Sequence, residues 1–372
     1  MANILITGAD GFMGRNLRLM LSERDDVKVT TFTRQDPIEL LAGRLADVDF
    51  IFHFAGVNRP ERDEEFAEGN GALTEALSAA VRASGRSIPL LYTSSIQAAR
   101  DNAYGKSKRA AEEALERLGA ETGNPVFAYR LANVFGKWAR PNYNSAIATF
   151  CHNIARDLPI QINDPASPVS LVYIDDVLGE FIAVMDGAAP RLSADGLATV
   201  HPVYQTNVGE LAQTIRGFAK ANSNLLIDRV GTGLIRALYA TYVSYLPTDA
   251  FSYTVPMHGD ARGVFVEMLK TSDSGQFSYF TAHPGVTRGG HYHHSKTEKF
   301  LVIKGKARFK FRHMDSGETH SIDTDGSVAE IVETVPGWTH DITNIGDDEM
   351  VVMLWANEIF DRVKPDTFAC PL

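Results

Sequence analysis

The sequence is poor in cysteine, carries no excess of positive charge and has no long apolar run. Cys151 and Cys370 are the two cysteines among 372 residues, which excludes a disulfide framework and favours a reducing cytoplasm. The formal net charge of −10 argues against nucleic acid as a partner, because phosphate binding requires a basic surface. No run of about 18 apolar residues is present, so we expect no membrane span. The N-terminus also lacks the pattern of a signal peptide.

The remaining composition indicates a folded protein with two domains. Hydrophobic residues make up 44% of the chain and charged residues 22%, which argues against disorder, and the length exceeds that of one ordinary core. Residues 1–245 alternate short apolar runs with helical patterns, which predicts a doubly wound parallel α/β sheet of Rossmann type with a substrate lobe. Residues 246–372 hold strand-like runs separated by turn residues, which predict an all-β barrel or sandwich.

A glycine-rich turn, "GADGFMG", follows the first predicted strand and opens a helix. Gly8, Gly11 and Gly14 allow the backbone to approach a pyrophosphate, and the helix N-terminus supplies free N–H groups. This context predicts a dinucleotide site that also includes Phe12 and Met13. The alternative is a tight turn with a structural role alone.

The residue at the end of the second predicted strand selects between NAD and NADP. An acidic side chain there would bind the ribose hydroxyls of NAD, whereas an arginine suits the 2′-phosphate of NADP. The sequence has Arg34 at this point, and Arg15 adds positive charge after the glycine turn. We therefore predict NADP(H), the alternative being two arginines that are simply solvated.

Tyr104 and Lys108 form a candidate proton-donor pair for the reduction of a carbonyl. They lie four residues apart and so share one face of a predicted helix. The lysine charge lowers the pKa of the phenol from its ordinary value of about 10. A serine at the end of the preceding strand can hydrogen-bond the substrate carbonyl. Ser95 is the first choice for this role and Ser94 the second.

The first domain resembles the extended short-chain dehydrogenase/reductase family. The resemblance rests on the glycine spacing, on "YGKSK", which fits the Y-x-x-x-K motif, and on "RLANVFG" after the fifth predicted strand. It implies cofactor contacts at Ala55 and Gly56. It also implies sugar-nucleotide contacts at Asn133, Asn144 and Ser145, for which turn and cap chemistry is the alternative.

Three histidines and a glutamate predict a metal site in the second domain. His291 and His293 point to one face of a strand because side chains alternate, and Glu298 follows five residues later. A third histidine, His340, comes from a later strand. Such a set can face into a barrel and hold zinc, iron, manganese or nickel, with zinc the first choice. We expect His294 to point the other way.

The spacing of this set resembles the cupin superfamily, which implies a jelly-roll barrel with these four residues as metal ligands. Gly285 and Gly305 fall on the first cupin motif, and Gly337 and Asn344 fall on the second, in which the proline lies one residue closer to the glycine than usual. A metal-free cupin is the alternative. The segment 259–268 also resembles the D-x-R-G-x-F-x-E entry of sugar-nucleotide 3,5-epimerases, which remove a proton next to a keto group.

The fusion of these two domains resembles, over nearly the whole chain, a family of bifunctional enzymes of bacterial capsule and O-antigen synthesis. The resemblance implies a UDP-4-keto-6-deoxy sugar as substrate, UDP-2-acetamido-2,6-dideoxy-L-talose as product for N-acetyl-L-fucosamine, and a homodimer. A C3–H beside a C4 ketone is acidic, and it loses that acidity once C4 is an alcohol. We therefore expect C3 epimerisation in the second domain to precede hydride transfer to C4 in the first.

Three other functions are compatible with parts of this pattern. The chain could be a nucleotide-sugar epimerase or dehydratase that retains NAD, against which Arg34 argues. The second domain could be a non-catalytic module for dimerisation or ligand sensing. It could also be a cupin dioxygenase. The general base of the epimerisation stays open, with Asp260 and Lys296 as nearby options.

Overall fold

The computed structural model describes residues 1–57, 62, 66–193 and 197–372, without the side chains of residues 67–69 and 222. Contacts between Cα atoms divide the chain into two compact units. The first unit holds residues 1–215 and 236–247, and the second holds residues 216–235 and 248–372. The segment 216–235 precedes the predicted domain boundary and yet groups with the second unit. The predicted division at residue 245 stays a prediction.

Five parallel strands form the central sheet of the first unit. They are β1 (Ala2–Thr7), β2 (Val27–Phe32), β3 (Phe50–His53), β4 (Leu90–Ser95) and β5 (Val126–Leu131). Their order is β2-β1-β3-β4-β5, and each neighbouring pair is parallel. The order reverses between β1 and β3, and α/β sheets bind ligands at such a point, outside the carboxyl ends of the strands.

Helices flank this sheet, and three further strands form a small separate sheet. The helices of the chain are α1 (Phe12–Ser22), α2 (Leu40–Arg44), α3 (Leu73–Ser84), α4 (Ala103–Thr122), α5 (Ala146–Ile154), α6 (Ile174–Met185), α7 (Val208–Asn224) and α8 (Gly233–Val243), with shorter helical turns at Ala67–Ala72, Ile96–Ala99 and Thr248–Ala250. The small sheet has the order β6 (Asn133–Phe135), β7 (Pro168–Tyr173), β8 (Tyr204–Asn207). No helix in the described ranges is both long and apolar enough to cross a membrane.

Helix α4 carries the candidate catalytic pair, and both of its ends are specified by the sequence. The side chain of Asn102 accepts a hydrogen bond of 2.7 Å from the N–H of Gly105 and so caps the N-terminus. Gly123, with a φ of 75°, ends the helix in the left-handed conformation that glycine adopts at low cost. Leu115 of this helix is fully buried against Leu77 and Leu90, which fixes the helix on the sheet.

Two mainly antiparallel sheets form the second unit. The first contains β10 (His258–Asp260), β11 (Gly263–Thr271), β12 (Gly275–Ala282), β19 (Met350–Ala356), β14 (Glu298–Lys304) and β17 (Ile331–Glu333), with β9 (Leu226–Ile227) parallel to β11. The second contains β16 (Thr319–Asp325), β15 (Lys306–His313), β18 (Trp338–Asn344), β13 (Thr287–Tyr292) and β20 (Phe368–Ala369). A parallel α/β sheet followed by an all-β domain confirms the predicted fold class.

The core of the second unit is built from alternate residues of both sheets. The ring of Phe300 lies edge-on to Phe280 and to Phe309, with centroids 6.3 and 5.7 Å apart. Val302 and Val352 are also buried in this cluster. Because every second side chain of a strand lies on the same face, polar residues in step with these core residues also point into the interior.

Candidate functional site

The glycine turn connects β1 to α1 and packs against the loop after β3. Gly8 has a φ of 67°, and a Cβ at this position would lie 2.6 Å from the backbone nitrogen of Ala55. A Cβ at Gly14 would lie 2.6 Å from the Cα of Ala9, so a side chain at Gly8 would displace the loop after β3 and one at Gly14 would displace α1 from the turn. Gly11 is the N-cap of α1. The predicted residues therefore place a helix N-terminus at the switch point of the sheet, an arrangement that fits a pyrophosphate.

The end of β2 holds an acidic residue beside the predicted arginine. Arg34 is exposed. Two residues further on, the carboxylate of Asp36 accepts hydrogen bonds of 2.8 and 3.0 Å from the backbone N–H and hydroxyl of Thr33, and one of 2.9 Å from Arg44. The backbone N–H of Thr33, followed by its hydroxyl, lowers the pKa of Asp36. The negative charge of Asp36 is thus held in place by its neighbours, and Arg34, two residues earlier in the chain, is exposed.

Arg15 does not extend freely towards the glycine turn. Its guanidinium donates a hydrogen bond of 2.6 Å to the carbonyl oxygen of Trp138. The neighbouring Asn16 donates to the carbonyl oxygen of Lys137 at 3.1 Å. Both bonds join the first turn of α1 to the loop after β6. Trp138 is 40% exposed and has a φ of 71°, a conformation that is unusual for a bulky side chain.

Tyr104, Lys108 and Ser95 come together at the carboxyl end of β4. Burial raises the pKa of the Tyr104 phenol, and a side-chain hydrogen bond from Ser95 acts in the opposite direction. The Nζ of Lys108 lies 5.9 Å from the centroid of the Tyr104 ring and 5.0 Å from that of Tyr92. The hydroxyl of Ser94 is buried and has no hydrogen-bond partner within the described part of the chain. The geometry thus joins Ser95, the first choice, to the tyrosine.

Lys108 is buried, with 5% of its surface exposed. Its Nζ donates a hydrogen bond of 3.0 Å to the carbonyl oxygen of Thr93. Burial lowers its pKa to about 8, against the opposing effect of Glu112. A Cβ at Gly56 would lie 3.5 Å from this Nζ and 2.6 Å from the Oδ1 of Asn70. Glycine at position 56 therefore allows the loop after β3 to pass close to the lysine.

A fully buried histidine, which the sequence analysis missed, links this loop to helix α3. The hydroxyl of Thr74 donates to the carbonyl oxygen of Asn70 at 2.6 Å, so it accepts from the Nε2–H of His53 at 2.9 Å. The Nδ1 of His53 then accepts from the hydroxyl of Thr7 at 2.7 Å. That hydroxyl in turn accepts from the backbone N–H of Ala55 at 3.3 Å. Burial and then the charge of nearby Lys108 lower the pKa of His53 to about 3. The imidazole is therefore neutral.

Asn70 completes this network. Its Oδ1 accepts from the backbone N–H of Val57 at 2.8 Å, and its Nδ2 lies 3.1 Å from the carbonyl oxygen of the same residue. The Nδ2 also lies 3.0 Å from the hydroxyl of Ser107. One asparagine thus ties the loop after β3 to the helix that carries Lys108.

The three residues expected to contact a sugar nucleotide lie in the substrate lobe. Asn133 is exposed and donates to the carbonyl oxygen of Ser170 at 3.0 Å. Ser145 accepts from the N–H of Ala148 at 3.2 Å and caps α5, and Asn144 is exposed next to it. A cavity of about 340 Å³ borders this helix and is lined by residues that include Ala146, Thr149, Phe150, Gln161, Asn163 and Ser167.

The four predicted metal ligands converge in the second unit. They are His291, His293, Glu298 and His340. One potential ligand atom from each lies within 4.8 Å of the others. The pairing of β13 with β18 sets His291 opposite His340, and their ring centroids are 4.7 Å apart. Burial, followed by the neighbouring charges, lowers the pKa of His291 to about 4, so this ring is neutral near pH 7.

The donor set fits a divalent cation. The Nδ1 of His293 lies 2.5 Å from the carbonyl oxygen of Asp366, which can only accept, so Nδ1 carries the hydrogen. The Nε2 of His293 therefore presents a lone pair to the Oε2 of Glu298, 3.2 Å away. The Nε2 of His340 is buried and has no hydrogen-bond partner among the described residues. Lone pairs that face one another, next to an unpartnered nitrogen, are the pattern that a bound cation satisfies.

The remaining nearby residues lie outside this set. Lys296 is buried, with its Nζ 3.2 Å from the Oε1 of Glu298. Asp260 is exposed and paired with Arg262, whose hydrogen bond lowers the carboxyl pKa to about 2. His294 is exposed and packs against Phe368.

Known families match both parts of the chain. The NAD dependent epimerase/dehydratase family matches residues 4–191, and the polysaccharide biosynthesis C-terminal domain matches residues 258–368. The UDP-2-acetamido-2,6-beta-L-arabino-hexul-4-ose reductase of Pseudomonas aeruginosa is 64% identical over 367 residues, which cover 99% of this chain and 98% of the reductase. The crystal structure of the capsular polysaccharide assembling protein CapF from Staphylococcus aureus superposes over the whole of both chains with a TM-score of 0.92 and 41% identity. The chain belongs to the CapF-like family.

Membership of the CapF-like family confirms the predicted resemblance and makes the chain an oxidoreductase with a nicotinamide cofactor. The UDP-glucuronic acid 4-epimerase of Bacillus cereus, solved with NAD, covers 65% of the chain at a TM-score of 0.55 and 16% identity, a likeness that shows the fold alone. The roles assigned to individual residues of this CapF-like chain therefore rest on the geometry above and stay predictions.

Proposed function

We propose that the chain is a bifunctional sugar-nucleotide enzyme of capsular polysaccharide or O-antigen synthesis. The second unit epimerises C3 of a UDP-4-keto-2-acetamido-2,6-dideoxyhexose, and the first unit then reduces C4 with NADPH to give UDP-2-acetamido-2,6-dideoxy-L-talose. The observation that carries the reductase is the contact of Ser95 with Tyr104 beside the buried Lys108. The name of the P. aeruginosa relative supports a keto-sugar substrate.

The residues of the first unit supply the proton of the reduction. When bound, the cofactor would supply a hydride to C4. The Tyr104 hydroxyl would give its proton to the ketone oxygen. Ser95 donates a hydrogen bond at the same point, and the positive charge of Lys108 favours the phenolate that remains. One hydride and one proton thus convert the ketone to an alcohol, and the phenol regains its proton from solvent.

NADPH is favoured over NADH by the charges at the end of β2. Arg34 is exposed there, and the neighbouring Asp36 is bound by Thr33 and Arg44. An exposed guanidinium can pair with a 2′-phosphate, and the hydrogen bonds from Thr33 and Arg44 offset the negative charge of Asp36.

A divalent metal, with zinc the first choice, would be held by His291, His293, Glu298 and His340. When bound, the metal would either polarise the C4 ketone or stabilise the barrel. The order of the two reactions follows from the substrate, because the C3 proton is acidic while C4 is a ketone. A homodimer and a cytoplasmic location complete the proposal, the latter supported by the two unpaired cysteines, Cys151 and Cys370.

One experiment tests both reactions. The protein is incubated in deuterated water with the UDP-4-keto-6-deoxy-N-acetylhexosamine, with and without NADPH, and the sugar is followed by NMR. We expect deuterium at C3 without the cofactor and a C4 alcohol only with it. Tyr104→Phe should abolish reduction and retain exchange.

Other outcomes would contradict specific parts of the proposal. Loss of exchange in Tyr104→Phe would reverse the order of the steps. NAD that stays bound and is recycled would instead favour an epimerase or dehydratase. If residues 1–245 alone reduced the same keto sugar to the same product, the second domain would be a non-catalytic module.

A further inference from the structure

A carboxylate close to the end of the chain holds the turn between two of the candidate metal ligands. The side chain of Asp366 accepts hydrogen bonds from the backbone N–H groups of His294, Ser295 and Lys296 at 2.9, 2.7 and 2.8 Å. The hydroxyl of Ser295 adds a fourth bond at 2.9 Å. Three consecutive backbone N–H groups thus converge on one carboxylate, an arrangement that binds an anion firmly. It fixes the path of the chain between His293 and Glu298.

The backbone of the same residue orients one of these ligands. The carbonyl oxygen of Asp366 accepts from the Nδ1–H of His293 at 2.5 Å. This bond selects the tautomer in which Nε2 has no hydrogen, and it directs the lone pair of Nε2 towards Glu298 and His340. Metal-binding histidines commonly depend on such a bond to their second nitrogen.

The segment around Asp366 is itself anchored to the strand of the histidines. Strand β20 pairs with β13, and the N–H of Cys370 donates to the carbonyl oxygen of Gly290 at 2.7 Å. The rings of Phe368 and Tyr292 stack with centroids 5.3 Å apart. The side-chain bonds of Asp366 close the other end of this short strand, so its carbonyl group stays over His293.

We propose that Asp366 is a positioning residue of the metal centre. Its carboxylate holds the turn 294–296, and this contact keeps its own carbonyl oxygen on the Nδ1 of His293. The inference rests on the metal centre proposed above. Loss of groups that orient metal ligands typically weakens metal binding about 10- to 100-fold, and we expect that range for Asp366→Ala.

The test measures zinc affinity of the full chain by competition with a chromophoric chelator. Asp366→Ala and Asp366→Asn are compared with wild type, and Asp347→Ala removes one exposed acidic charge elsewhere in the second unit as a matched control. We expect the control to bind like wild type. Asp366→Ala should bind about 10- to 100-fold more weakly, and Asp366→Asn should lie between them because its amide oxygen can accept part of the same hydrogen bonds.

Cobalt supplies a readout that a loss of general stability would not change. The d–d absorption bands of bound Co²⁺ report the arrangement of its ligands, so we expect them to shift in both Asp366 variants and not in the control. If Asp366→Ala does not fold, Asp366→Asn carries both measurements. Unchanged zinc affinity and cobalt spectra in the variants that fold would overturn the inference. Failure of wild type to bind zinc or cobalt would overturn the metal centre itself.

Discussion

The Nζ of Lys108 lies 3.0 Å from the carbonyl oxygen of Thr93, in a position where 5% of the lysine is exposed. Burial makes the ammonium costly and outweighs the opposing charge of Glu112, so the pKa of this lysine falls to about 8. The enzyme thus retains a positive charge beside Tyr104 at a cost in stability.

The first prediction concerns this cost. Between pH 8 and about 10.5 the unfolded chain binds the lysine proton and the folded chain does not, so wild type should become more stable as pH rises through this window. The gain should approach about 3 kcal/mol, and it should be absent in Lys108→Met. Urea unfolding of both proteins at pH 7, 9 and 10.5 measures the difference. Parallel pH profiles would show that the lysine is not responsible.

The second prediction separates the two serines at the end of β4. Ser95 is hydrogen-bonded to Tyr104, and Ser94 has a buried hydroxyl with no partner in the described ranges. Ser95→Ala should therefore lower kcat for C4 reduction by about 100-fold, the usual scale for one donor at a developing oxyanion. Ser94→Ala should change kcat less than threefold. Equal losses in the two variants would contradict the assignment, and steady-state oxidation of NADPH measures both.

The third prediction concerns His53, whose neutral ring joins Thr7 to Thr74. Its pKa in the folded protein is about 3, so below pH 6.5 the unfolded state binds a proton that the folded state excludes. The free energy of unfolding should therefore fall by about 2 kcal/mol as the pH is lowered from 6.5 to 5. His53→Gln should lose this part of the pH dependence. Urea unfolding of both proteins at pH 6.5 and pH 5 tests this prediction. A change in stability between the two pH values that is equal in His53→Gln and wild type would contradict it.

The predicted residues that the structure brings together share local spacing. The glycine turn spans seven residues, Tyr104 and Lys108 are one helical turn apart, and His291 and His293 alternate on one strand. The period of a helix or strand brings such residues together whatever the rest of the chain does. The third histidine, His340, lies on a separate strand, so local spacing alone does not bring it to the other ligands.

The residues that the sequence analysis missed depend on distant partners. His53 acts through hydroxyls 46 and 21 residues away, and Asp366 reaches a turn about 70 residues earlier in the chain. Neither stands in a periodic pattern, because its role is defined only when separate strands meet. The same reason explains why the sequence did not predict that the segment 216–235 groups with the second unit. Its two-residue strand β9 pairs with β11, some 44 residues later.

The last prediction concerns the choice of cofactor. Arg34→Ala should weaken binding of NADPH about tenfold, equivalent to about 1.4 kcal/mol, and leave NADH binding nearly unchanged, because only NADPH carries the 2′-phosphate. Arg44→Ala should act differently: it releases Asp36 from its ion pair, so the freed carboxylate should repel NADPH and improve binding of NADH.

Dissociation constants from nucleotide fluorescence measure the effects of both substitutions. Arg117→Ala, which removes an exposed arginine paired with Glu75 between α4 and α3, is the matched control and should change neither constant. Equal weakening of both cofactors in Arg34→Ala would place the arginine in general nucleotide binding and remove the argument for NADPH.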